Sequence, residues 1–106
     1  MNGANPWKGG IPVRKYELVC IIQPDLDEAS ITGIVDHVKG WVSEAGGTVD
    51  KVDMWGKRRL AYMIRKQREG HYVLFNLSMP PTASPSIEQN LRYTETVLRH
   101  MLTLVA

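Results

Sequence analysis

The stretch KYELVCIIQPDLDEASITGIVDHVKGWVSEAGG, residues 15–47, decides the fold. Tyr16, Leu18, Cys20 and Ile22 alternate with Glu17, Val19, Ile21 and Gln23, the period of two that marks a strand. Both sets are largely apolar, which predicts a strand in the middle of a sheet, and Pro24 stops it. Asp25 and Glu28 stand at capping-box spacing, with Asp27 an equally good N-cap. Ile31, Ile34, Val35, Val38, Trp41, Val42 and Ala45 then recur at steps of three and one, the single apolar stripe of a long amphipathic helix. Gly33 and Gly40, seven apart, predict a place where that helix lies close to a sheet. Gly46 and Gly47 supply the backbone freedom its C-terminus needs.

Downstream the period returns to two. Residues 48–66 read as a long strand with a bulge or bend at Gly56. Residues 67–70 read as a short polar turn, and Val73, Phe75, Leu77 and Met79 form one face of the next strand. Pro80-Pro81 breaks it, and Ser84-Pro85 predicts an N-cap and first turn for a shorter helix built on Ile87 and Leu91. A last strand is expected over about residues 95–105. The order βαββαβ, with right-handed crossovers, places both helices on one face of a four-stranded antiparallel sheet. That is the α+β, ferredoxin-like architecture, over residues 14–106. Residues 1–13 have no apolar period and read as an irregular N-terminal arm carrying Trp7.

At 106 residues, with 43% hydrophobic and 23% charged, the chain has the composition of one folded domain. A single cysteine, Cys20, excludes an internal disulfide and a thiolate metal cage. No apolar run reaches the length of a membrane span, and no leader pattern precedes the first strand, so a cytoplasmic protein is expected. His37, His71 and His100 lack metal-ligand spacing, no glycine-rich phosphate loop is present, and no nucleophile–base pair can be assembled. The residues thus predict no metal, no cofactor, no small-molecule substrate and no enzyme.

Charge is informative in its distribution. The net charge is only +2, yet Lys51, Lys57, Arg58, Arg59, Arg65, Lys66 and Arg68 place seven of thirteen cations in an 18-residue window whose one acid is Asp53. Such a stripe on a near-neutral chain suits either a docked polyanion or a charge-protected strand edge. Trp55 and Tyr62 interleave with it, with Tyr16 and Tyr93 as possible neighbours. The third strand lacks the exposed aromatics of an RNA-recognition motif, so RNA contact falls to edges and loops.

Four segments together resemble one family. Arg14-Lys15-Tyr16-Glu17 with Pro24-Asp25-Leu26-Asp27, then Gly56-Lys57-Arg58-Arg59-Leu60-Ala61-Tyr62, then Gly70-His71-Tyr72-Val73-Leu74-Phe75, then Ile87-Glu88-Gln89-Asn90-Leu91-Arg92 with Val97-Leu98-Arg99-His100 look like the sixth ribosomal protein of the bacterial small subunit, in order. Met63 stands where that family often has proline. The resemblance implies a structural role in the ribosome. It implies binding to the central domain of small-subunit ribosomal RNA jointly with the eighteenth small-subunit ribosomal protein. Carried onto this sequence, the RNA-binding residues are Arg14, Lys15, Lys57, Arg58 and Arg59, followed by Arg92 and Arg99. Val19, Ile21, Ala61 and Met63 are the expected apolar patch for the partner protein. The fold alone also fits a dimerisation or small-ligand module or an acylphosphatase-like hydrolase. The hydrolase, however, needs a glycine-rich cradle after the first strand, and none is present.

Overall fold

A computed structural model describes residues 12–105. The elements are β1 (Arg14–Ile22), α1 (Glu28–Glu44), β2 (Thr48–Ile64), β3 (Gln67–Met79), a single 3-10 turn (Pro81–Ala83), α2 (Ser84–Arg92) and β4 (Val97–Leu104). The four strands form one antiparallel sheet in the order β2-β3-β1-β4. The βαββαβ, ferredoxin-like expectation holds. Residues 1–11, with Trp7, lie outside the described residues.

The period of two in β1 does what a central strand requires. Tyr16, Leu18, Cys20 and Ile22 are buried against the helices together with Val73, Phe75, Leu77 and Met79 of β3. Ile31, Ile34, Val35, Val38 and Val42 of α1 and Ile87 and Leu91 of α2 close the same core. Among the described residues no polar or charged side chain is buried. Cys20 is wholly enclosed, and burial pushes its thiol up to about 12, because a thiolate there would lose its water.

At the start of α1 it is Asp27, not Asp25, that caps, its Oδ1 accepting the Ser30 backbone N–H at 2.9 Å. At the other end Gly46, at φ +89°, donates to the Ser43 carbonyl and Gly47 to the Val42 carbonyl, the paired bonds of a Schellman motif. Gly33 and Gly40 do not mark a close approach: a methyl at either would meet no atom within 4 Å. The helix sits on the sheet through its aliphatic stripe instead. Ser84 is the first residue of α2 rather than its cap, because the 3-10 turn feeds directly into the helix. Its hydroxyl donates back to the Pro81 carbonyl.

The largest departure from expectation lies between β2 and β3. The strands are joined by Arg65-Lys66 alone, at φ 50° and 66°, and residues 67–70 belong to β3. Positive φ at both central positions is the type I′ geometry whose twist suits a two-residue hairpin. Glycine or asparagine normally occupies it, and each Cβ placed there costs on the order of 1 kcal/mol. Local polarity marked a turn too late in the chain because the true turn carries two long cationic side chains. The hairpin overhangs the sheet: Ile22 of β1 pairs with His71, so residues 67–70 and their β2 partners run past the end of β1.

Candidate nucleic-acid and protein interface

The helices cover one sheet face, and the other is open. On it lie Val19 and Ile21 of β1, Tyr72 and Leu74 of β3, and Arg99 and Met101 of β4, brought abreast by the register Val19↔Leu74, Val19↔Met101, Ile21↔Tyr72 and Ile21↔Arg99. Beyond Arg59 the β2 register shifts: Arg59 pairs with Glu69 and Ile64 with Gln67, so residues 60–63 span what Arg68 alone spans on β3. This slack lets the overhanging hairpin bend across the open face. Leu60 comes to rest over Gly70, and the hairpin is tied at its far side by two arginines. Arg99 Nη1 donates to the Tyr62 hydroxyl, and Arg65 Nη1 donates to the Glu95 carbonyl at 2.9 Å.

The bend makes a shallow apolar hollow of about 300 Å³, floored by Val19, Ile21 and Met101 and walled by Leu60, Ala61, Tyr62, Ile64 and Tyr72. Three of the four expected partner residues, Val19, Ile21 and Ala61, therefore meet. Met63 does not; it is 53% exposed and lies outside the hollow. In a regular strand, alternation places Leu60 and Tyr62 on the opposite face from Ala61. The extra residues in β2 break that parity, which is why Leu60, Tyr62 and Ile64 were not legible as lining.

The cations sort into two groups. Lys57, Arg58 and Arg59 lie on the β2 edge opposite His71, Gly70 and Glu69, and all three are exposed. At Gly56, with φ +83°, the strand bulges, and Trp55 lies on the open face. Its ring stacks on Tyr72 at 6.2 Å and 11°, and the Arg58 guanidinium sits 5.4 Å from its centroid. Arg65, Lys66 and Arg68 continue the positive charge around the hairpin. Arg92, in the last turn of α2, and Arg99 face the same end from the other side. Arg65 was legible only as part of the basic window, since its position opposite Arg92 and Arg99 depends on the bend.

Arg14 and Lys15 stand apart. Lys15 pairs with Ser78 and Lys57 with His71, seven residues along β3, or about 23 Å at the rise of a strand. Lys15 is also partly neutralised, its Nζ lying 3.5 Å from Asp50 Oδ2 and 3.0 Å from Ser78 Oγ. The Ser78 hydroxyl, above all, holds the Asp50 carboxyl below its usual value, with Thr48 and Lys15 adding to the effect. Among the described residues this is the only ion pair. Tyr16 is a core residue, unavailable to any ligand, whereas Tyr93 is 74% exposed. His37 is exposed and stacks on Trp41, and among the described residues no three metal-ligating side chains gather. No helix among them is long and apolar enough to cross a membrane.

Fold and surface together define a ferredoxin-like module with a cationic pole beside an apolar sheet face. A family model described as ribosomal protein S6 matches residues 15–103. The small ribosomal subunit protein bS6 of Clostridium botulinum is 46% identical over 90 residues, covering 85% of this chain and 96% of that one; its counterpart in Dictyoglomus turgidum is 41% identical over 93 residues, covering 88% and 96%. The crystal structure of 30S ribosomal protein S6 from Thermotoga maritima superposes with a TM-score of 0.83 at 30% identity, covering 88% of each chain. The chain belongs to the bS6 family of ribosomal proteins, a structural and non-enzymatic component of the small ribosomal subunit.

Proposed function

We propose that this chain binds the central domain of small-subunit ribosomal RNA jointly with the eighteenth small-subunit ribosomal protein. In this reading Lys57, Arg58 and Arg59 make the principal phosphate contacts, with Arg92 and Arg99 beside them and Arg14 and Lys15 touching a separate stretch of RNA. Val19, Ile21 and Ala61 receive an apolar side chain of the partner protein, with Met63 at the margin of that contact. Residues 14–106 are the folded unit that carries both surfaces, and residues 1–13 are an arm outside it.

The observation that carries the reading is the pole itself: exposed cations of the β2 edge and hairpin, with no carboxylate in ion-pair contact among the described residues, stand at the end of the sheet whose open face holds the apolar hollow. Phosphate contacts position a protein on RNA through charge, without a base code, and a folded sheet holds those charges in place beforehand. A net charge of +2 is small for tight binding unaided, which favours a joint surface with a second protein.

Binding to a central-domain RNA fragment, titrated with and without the eighteenth protein over a range of salt, tests both parts. Tighter binding in the partner's presence is expected. The triple variant Lys57→Ala, Arg58→Ala, Arg59→Ala should keep the fold and lower the salt slope by about 0.7 to 0.9 for each phosphate no longer neutralised. Equal RNA affinity with and without the partner refutes the joint surface, and an unchanged slope refutes the assignment of the three cations.

A further inference from the structure

Arg65, Arg92 and Arg99 come from the hairpin turn, the last turn of α2 and β4, yet they line one hollow of about 220 Å³. The rest of its lining is Leu91, Val97, Leu98 and His100, with no carboxylate among them. Three like charges repel, so their convergence has to be held by other forces. Arg65 is held by the Glu95 carbonyl and Arg99 by the Tyr62 hydroxyl, both neutral acceptors. Each bond orients a guanidinium without cancelling its charge and leaves its remaining donors free. Lys15, whose ammonium is met by Asp50, shows the contrasting arrangement at the other end of the sheet.

The backbone supplies an independent observation. Arg65 and Lys66 occupy the two positive-φ positions of the turn, where glycine and asparagine are favoured. An arginine kept in that strained conformation, and tied across to the α2–β4 connection, is a local cost maintained at a surface, the kind of outlier from which function is inferred.

We propose that Arg65, Arg92 and Arg99 form a preformed seat for a single phosphodiester group of RNA. Guanidinium forks match the paired oxygens of such a group, and two of the three are already oriented before it arrives. A free phosphate ion would suit the seat's charge but needs nothing beyond it. Here Lys66 and Arg68 continue from Arg65 towards Lys57–Arg59, a track that successive phosphates of one strand can follow. The proposal rests on the RNA-binding reading above and adds to it a defined site in which Arg65 of the hairpin turn joins Arg92 and Arg99.

Phosphate-ethylation interference on the central-domain fragment, with the eighteenth protein present, tests the seat. Arg65→Asn, which tolerates positive φ, Arg92→Gln and Arg99→Gln should each abolish interference at the same phosphate. Each should weaken binding on the order of tenfold, and the three changes combined should lower the salt slope by about 0.7 to 0.9, the share of one phosphate. The Lys57→Ala variant should leave interference at that phosphate intact. Arg65→Lys retains the charge without the fork, and it should keep the slope while losing affinity. Loss of interference at three different phosphates, or at none while binding persists, overturns the seat and leaves the RNA-binding reading standing. Failure of the unaltered chain to bind the fragment with its partner overturns that reading instead. Titration with inorganic phosphate alone, followed by the arginine side-chain NMR resonances, separates the sources. Saturation by the free ion more tightly than by a dinucleoside phosphodiester overturns the assignment to RNA.

Discussion

Replacement of Gly70 by alanine tests how the hairpin is seated over the sheet. A Cβ at that position would stand 2.5 Å from Ile21 Cγ2 and 3.1 Å from the Ile22 carbonyl oxygen, with Leu60 Cδ2 at 3.8 Å. Carbon atoms in contact prefer about 3.5 to 4.0 Å, so the methyl and Ile21 have to part by about 1 Å. Ile21 is half-buried at the floor of the hollow and can yield by leaving its rotamer, while the Ile22 carbonyl belongs to the ladder and yields little. Overpacking of this kind costs about 1 to 3 kcal/mol. Removing a glycine's backbone entropy returns about 0.5 to 1 kcal/mol. A net destabilisation of about 0.5 to 2 kcal/mol is expected, lowering Tm by about 4 to 8 °C per kcal/mol in a domain of this size. Urea unfolding followed by tryptophan fluorescence and circular dichroism measures it. Ile21→Ala removes the clashing methyl, so the double variant should lose less than the sum of the singles. A Gly70→Ala protein as stable as the parent, or strictly additive effects with Ile21→Ala, refutes the proposed close packing of the hairpin on β1.

Gly33→Ala and Gly40→Ala should behave oppositely, each stabilising by about 0.5 to 1 kcal/mol, because a methyl there meets nothing and only helix propensity changes; a lower urea midpoint in either contradicts the open space around them. The acid limb of stability should depend on Asp27 and Asp50. Hydrogen bonds from Ser30, its side chain and then its backbone, lower the first carboxyl, and the Ser78 hydroxyl chiefly lowers the second. A carboxyl lowered by folding contributes stability that is present above its unfolded value near 3.8 and lost as pH falls through the depressed folded value. Asp27→Asn with Asp50→Asn should therefore flatten the fall in urea midpoint below about pH 4, and an unchanged acid limb rules the two groups out. Cys20 should resist a thiol reagent at pH 8 in the folded chain and react as it unfolds in urea; rapid labelling of the native protein contradicts its burial.

The strands and helices were legible in the chain because each local period coincides with a buried face. The alternation around Cys20 and the stripe from Ile31 to Val42 describe packing into the same core, so reading either one points to the other. The cationic window was legible for a similar reason, since charge follows directly from composition. The turn was misplaced because its conformation is imposed by the twist of the two long strands it joins, against the preferences of Arg65 and Lys66. Sequence by itself thus determined the βαββαβ order, the core and the presence of a basic segment. Tertiary structure alone decided that residues 60–63 slip out of register, so that Leu60 and Tyr62 join Ala61 in one hollow. It alone brought Arg65 from the hairpin tip to Arg92 and Arg99, some 27 and 34 residues away along the chain. Periodicity records which face of an element is buried, but a bend between elements depends on what the far ends of the chain supply, here the Glu95 carbonyl and the Arg99 side chain that hold the hairpin down.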